Sequence, residues 1–294
     1  MSLRENRIEQ AKERILELLT QVKVAYDREI RYRLEKYAIP HDITKAALIQ
    51  LERKKRIKRT HLRGRPRIGH SPNLFYKLPK SRYEDLQPIM QEKIRLSSFI
   101  TGVASEVGYH GERVWWRAFK RNNWGVEPAE EDKPFKVRSF RNKTASVNND
   151  IDFIAWKDGI IYGIDVKNSL TYPDDLYWKF LVAVELDTIP MIIARWLNPI
   201  QIKLINDLGG VWIIFREAIY PSTYQPMVLK AREKLGYPIT VFDEIEDSYF
   251  KRKVESVHEK VKKDVKRRKR LLRQFLEVKR DDNRIRKGLG DKRG

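Results

Sequence analysis

Apolar side chains recur along this chain in three rhythms. Ile8, Ala11, Ile15, Leu16 and Leu19 fall at spacings of three and four, which lays one apolar stripe along a helix. Asp27 is placed to cap a second helix through Tyr37, which stops before Pro40 because the residue preceding a proline avoids helical backbone. His41 and Asp42 open a third, with Ile43, Ala46, Ala47 and Ile49 turned inward. Two short strands are then expected, Ile57–Thr60 and Asn73–Leu78, flanking the turn-rich Arg63-Gly64-Arg65-Pro66-Arg67.

The second rhythm is the continuous apolar run of a strand buried on both faces. Phe153, Ile154, Ile160, Ile161, Ile164 and Val166 predict a strand pair, preceded by a helix around Gly111–Phe119. Beyond it the pattern alternates: a helix from Asp174 to Glu185, a strand Pro190–Ala194, a helix Pro199–Leu208 and a strand Val211–Phe215. The third rhythm is sparse: Val254, Val257, Val261, Val265, Leu272 and Phe275 mark one stripe of a long helix whose other faces are almost entirely cationic. Four segments follow: 1–79, a connector 80–108, a middle domain 109–247 and a basic helical extension 248–294 with a disordered end.

Charge narrows the partners. Sixty-one Lys and Arg against 40 Asp and Glu leave a net charge of +21, a field that favours polyanions, nucleic acid or an anionic surface. No apolar run approaches the roughly 20 residues of a membrane span, so a soluble cytoplasmic protein is expected. The absence of cysteine removes disulfides, thiolate zinc sites and cysteine nucleophiles. The five histidines lack ligand-like spacing, so a metal here is expected on oxygen. High Lys, Arg and Glu without Cys is a bias of hyperthermophiles that basic mesophilic proteins share.

The chemistry concentrates between Asp152 and Lys167. Asp158-Gly159 is a two-residue hairpin signal, since a type I′ turn needs positive φ at both central positions. Lys157 then pairs with Ile160, and counting outward sets Asp152 opposite Asp165. Directly opposed carboxylates repel, and a divalent cation is the natural offset. Strand alternation puts Asp165 and Lys167 on one face, so an ammonium joins the acidic pair. That combination suits phosphodiester hydrolysis: an oxygen-bound cation as Lewis acid, and a positive charge for the developing phosphorane. The alternative is an ordinary charged hairpin.

Asp152-Phe153-Ile154 followed by Asp165-Val166-Lys167 resembles the D…(D/E)xK motif of the PD-(D/E)xK nuclease superfamily, over roughly Tyr109 to Phe215. Ile151 stands where that family often has proline. The resemblance implies an α/β restriction endonuclease-like αβββαβ core, Mg²⁺ with Mn²⁺ as substitute, and catalysis by Asp152, Asp165 and Lys167. It also implies a helix acid, Glu112 or alternatively Glu106, as third metal ligand, with Asn168, Ser169 and Lys179 as secondary polar groups. Helix, helix, helix, basic hairpin in turn resembles a winged helix-turn-helix domain. In that family Thr44, Lys45 and Gln50 would enter the groove of DNA, and Arg63, Arg65 and Arg67 would grip phosphates. The expected function is a Mg²⁺-dependent endonuclease on duplex or branched DNA, with a homodimer among its expected states because cutting both strands calls for two sites. The alternatives are a non-catalytic DNA-binding regulator or scaffold, and an RNA nuclease.

Overall fold

The computed structural model describes residues 2–60, 75–128, 139–140, 143–144, 151–170 and 173–290. Side chains at 139–140, 143–144, 169–170, 173–175, 276 and 278–290 are outside the description. The chain is mixed α/β and divides into two compact units, Met1–Ala104 with Thr223–Thr240, and Ser105–Ser222 with Val241–Gly294.

In the first unit, α1 (Leu3–Val22), β1 (Val24–Tyr26), α2 (Asp27–Glu35) and α3 (His41–Arg53) are followed by β2 (Lys58–Thr60), β3 (Phe75–Lys77) and α4 (Tyr83–Gly102). The three strands form an antiparallel sheet in the order β1-β3-β2. Ile8, Ala11, Ile15 and Leu19 of α1 meet Ala47, Leu48 and Leu51 of α3 in one apolar core, as the spacing on each helix requires. Glu29 and Lys93 are buried together: the ammonium lies 2.8 and 2.7 Å from the two carboxylate oxygens and donates to the Val24 carbonyl at 2.8 Å.

The second unit begins within α5 (Ala104–Arg121), then β4 (Gly125–Glu127), β5 (Ser139–Phe140), β6 (Lys143–Thr144), β7 (Phe153–Lys157), β8 (Ile160–Leu170) and α6 (Pro173–Glu185). It continues through β9 (Ile189–Trp196), α7 (Pro199–Asp207), β10 (Val211–Ile214) and β11 (Ala218–Tyr220). A 3₁₀ turn at Ser222–Tyr224 leads to α8 (Gln225–Leu235), which packs on α4 in the first unit, and to β12 (Ile239–Val241). The chain ends with α9 (Asp247–Phe250), a π-helical stretch Lys251–Glu255 and α10 (Ser256–Gly290), kinked at Asp264. A five-stranded sheet, ordered β10-β9-β8-β7-β4, is antiparallel from β4 to β8 and parallel from β8 to β10. Trp115 and Phe119 of α5, Phe153 and Ile164 of the hairpin, and Val254, Val261 and Leu272 of the C-terminal helix share its core.

Several expectations shift. The segment 80–108 folds largely as the 20-residue helix α4; Pro88 sits inside it and disguised the pattern. On α3 the buried stripe is Ile43, Thr44, Ala47, Leu48 and Leu51, so Ile49 faces outward. The stripe is rotated from the expected one because Ile43, Ala47 and Leu51 repeat at four residues, with Thr44 and Leu48 repeating at four beside them, and Ile49 falls outside both series. Helical backbone runs to Gly290, past the start of the end expected to be disordered. Among the described residues no helix is long and apolar enough to cross a membrane.

Candidate active site

The hairpin sets the site. Asp158 and Gly159 have φ of 51° and 73°, the left-handed pair that a type I′ turn demands, and Lys157 pairs with Ile160 as expected. The ladder runs outward to Phe153↔Ile164 and stops there. Asp152 does not sit opposite Asp165; its amide donates instead to the Ile164 carbonyl at 2.9 Å. This bulge-like step gives Ile164 two facing residues, and the Asp152 carboxylate accepts from the Val166 amide at 2.5 Å.

Asp165 lies on β8, the central strand of the sheet, one residue past the end of its ladder with β7 and paired with Ile192 of β9, and has no solvent exposure. Two ammoniums reach its Oδ1, Lys179 of α6 at 2.9 Å and Lys167 of β8 at 3.1 Å. Neither oxygen of the carboxylate accepts a well-aligned hydrogen bond, a costly state for a buried anion. Glu112, half-buried on α5, is close enough for its charge to act on Asp152.

The electrostatics separate the two aspartates. Burial, then the negative charges of Asp165 and Glu112, push the Asp152 carboxyl well above its ordinary value. Burial would do the same to Asp165, but the ammoniums of Lys167 and Lys179 outweigh it and hold that carboxyl below its usual range. Asp165 is thus the anion of the pair and Asp152 the group that readily keeps a proton.

Of the residues singled out in the sequence, the structure gathers Glu112, Asp152, Asp165, Lys167 and Lys179. Glu106, the alternative helix acid, is exposed. Lys179 comes as near to Asp165 as Lys167 does, which its place on the helix after the strand only hinted at. Asn168 serves the fold instead. Its amide donates to the carbonyls of Val107 at 2.8 Å and Ile219 at 2.7 Å and accepts from the Ile219 amide. It clips β8 to its neighbours and is spent. Ser169 has its side chain outside the described set, and Arg63, Arg65 and Arg67 lie outside the described residues.

Thr44 is a correction. It is fully buried and its hydroxyl donates to the Pro40 carbonyl, because the α3 stripe turns it inward, so it is no groove contact. Lys45 is exposed and Gln50 half-buried.

A cluster that spacing did not reveal forms where the hairpin turn meets α10. Among the described residues, Asp158, His258 and Glu259 are the trio whose ligand atoms all lie within 4.8 Å of one another. Asp158 is already compensated there by Lys262 at 2.9 Å, and buried His258 bonds the Tyr162 hydroxyl at 2.9 Å. That arrangement anchors α10 to the hairpin. Glu112, Asp152 and Asp165 form a looser group whose oxygens are not drawn together to that spacing. Compared with known proteins, the chain matches no family model, no curated protein and no solved structure.

Proposed function

We propose that this protein is a metal-dependent endonuclease acting on DNA in the cytoplasm, with the acids around Asp165 as its catalytic centre. The observation that carries the reading is the Asp165 carboxylate, sealed from water, lacking aligned hydrogen bonds, and accompanied by two further acids and two lysines. Burying such a cluster costs stability unless function requires it, and perturbed acids of this kind concentrate at reactive sites. The order helix, three antiparallel strands, helix, parallel strand around it agrees with the PD-(D/E)xK pattern.

The donor set fits a hard divalent ion such as Mg²⁺, with Mn²⁺ as substitute, because it is all oxygen and the buried oxygens of Asp165 accept no well-aligned hydrogen bond. Asp165 and Asp152 would hold the ion and Glu112 would complete its surroundings. When bound, the ion supplies a Lewis acid for phosphodiester hydrolysis. Lys167 and Lys179 keep Asp165 ionised, and one of them turns to the phosphate to stabilise its developing charge. The three-helix and three-strand arrangement of residues 3–77 supports a winged helix that binds duplex DNA through Lys45, Gln50 and the basic loop.

A second reading is a non-catalytic DNA-binding protein, favoured by the fact that two ammoniums already neutralise Asp165. Plasmid, branched and single-stranded DNA and matched RNA, incubated with Mg²⁺, Mn²⁺ or EDTA, separate the two. The endonuclease reading expects metal-dependent cuts in DNA that Asp165→Ala and Lys167→Ala abolish while most DNA affinity remains. No cutting in any arm, or equal cutting by both variants, refutes it.

A further inference from the structure

Away from the acids, the edge strand β10 and the start of the C-terminal helix enclose a cleft of about 550 Å³. All four residues of β10 line it, so the free edge of the sheet opens into it, with half-buried Trp212 among them. Arg216, Arg252, Lys253 and Lys260 surround that floor, and no carboxylate lines the cleft among the described residues. Arg268, also at its wall, is engaged by Asp264 and by the Gly210 carbonyl. The others are not so held: Arg252 and Lys253 lie against the Tyr249 ring, and Arg216 and Lys260 have no ion pair among the described residues. Arg216 has φ of 72°, a backbone state that non-glycine residues rarely hold.

We infer that this cleft binds single-stranded nucleic acid, with phosphates on the four cations and a base on Trp212. Arg252 and Lys260 are eight residues apart, about 12 Å along a helix, so the two cations can meet separate phosphates of one strand. Unpaired cations around an aromatic side chain are the elements with which proteins hold single strands without reading sequence. An acidic peptide would satisfy the cations and the strand edge but would leave the tryptophan unused. The π-helical stretch adds support, because such turns recur at functional sites and this one presents Arg252 and Lys253 to the cleft together.

The test is binding of the full chain to a fluorescent 20-nucleotide oligothymidylate in EDTA, a readout indifferent to whether the acid cluster cleaves. The double variant Arg252→Glu/Lys260→Glu should bind at least about tenfold more weakly, with a salt slope shallower by about 1.4, as two lost phosphate contacts on a single strand require. Trp212→Ala should lose about tenfold, and Trp212→Phe should restore most of it. The same charge change at exposed lysines elsewhere, Lys203→Glu/Lys234→Glu, sets the effect of net charge alone. If the cleft variant falls no further than this control, the inference is overturned. It is equally overturned if polyglutamate of matched charge displaces the probe as well as unlabelled oligothymidylate does.

Discussion

Replacing Asp165 with asparagine keeps its shape and removes its charge, which isolates the role of that carboxylate in holding a metal. If the acid cluster binds Mg²⁺, a concentration ten times the dissociation constant stabilises the folded chain by about 1.4 kcal/mol. For a cooperative unit of roughly 150 to 250 residues, each kcal/mol moves the midpoint by about 2–4 °C, so the parent should melt about 3–6 °C higher in Mg²⁺ than in EDTA at equal ionic strength. In Asp165→Asn the shift should fall below about 1 °C. Its midpoint in EDTA should drop only modestly, because Lys167 and Lys179 are 24% and 14% exposed and can reach water once unpaired. Asp152 adds a pH signature. Its folded pKa lies above the unfolded value near 3.8, so in EDTA it contributes stability at low pH that is lost as pH rises through the folded pKa. Mg²⁺ needs the ionised carboxylate, so the metal-induced shift should grow with pH over that same window. Scanning calorimetry measures both effects. Equal Mg²⁺ shifts in parent and variant would refute the assignment of these acids to a metal.

Three further substitutions test other parts of the argument. Lys93→Met strands the buried Glu29 carboxylate and should cost about 3–5 kcal/mol by urea unfolding, at the lower end because Arg33 remains 3.1 Å from Glu29; adding Glu29→Leu should recover most of it. Asn168→Ala removes three buried hydrogen bonds and should cost about 2–4 kcal/mol, whereas a residue needed only for catalysis would leave stability unchanged. Thr44→Val should alter duplex affinity less than about twofold by fluorescence anisotropy, while Lys45→Ala, a groove contact in the proposed reading, should cost about 1–3 kcal/mol on a preferred sequence and narrow the gap to other sequences.

What the sequence revealed depended on how local each cause was. The three N-terminal helices, the Asp158-Gly159 turn and the order of strands and helices after it follow from periodicity and turn chemistry within a few residues. Helix α4 was hidden because Pro88 is a strong breaker in isolation, and burial of Met90, Lys93 and Ile94 overrides it. No local signal attaches α8 to the first unit. That contact is secured by Arg33, which donates to the carbonyls of Glu233 and Lys234 at the end of α8. Gly236, at φ 63° with the Arg33 side chain where a Cβ would stand, closes the helix there. Thr44 and Ile49 exchanged roles because a helix stripe read from four residues is uncertain by one position, about 100° of rotation.

At the acids, a correct turn led to an incorrect pairing, and the difference is physically instructive. A ladder continued without a break would bury Asp152 and Asp165 as direct neighbours with no donor for either. The chain instead leaves the ladder at Asp152, which frees the Val166 amide to donate to one carboxylate while two lysines approach the other. Repulsion between the acids is therefore reduced by geometry and divided unequally, one carboxyl kept ionised and its neighbour left easily protonated. A site so arranged can fold without a cation and still gain from one. On the proposed reading, that is the balance a reversibly bound metal asks of its ligands.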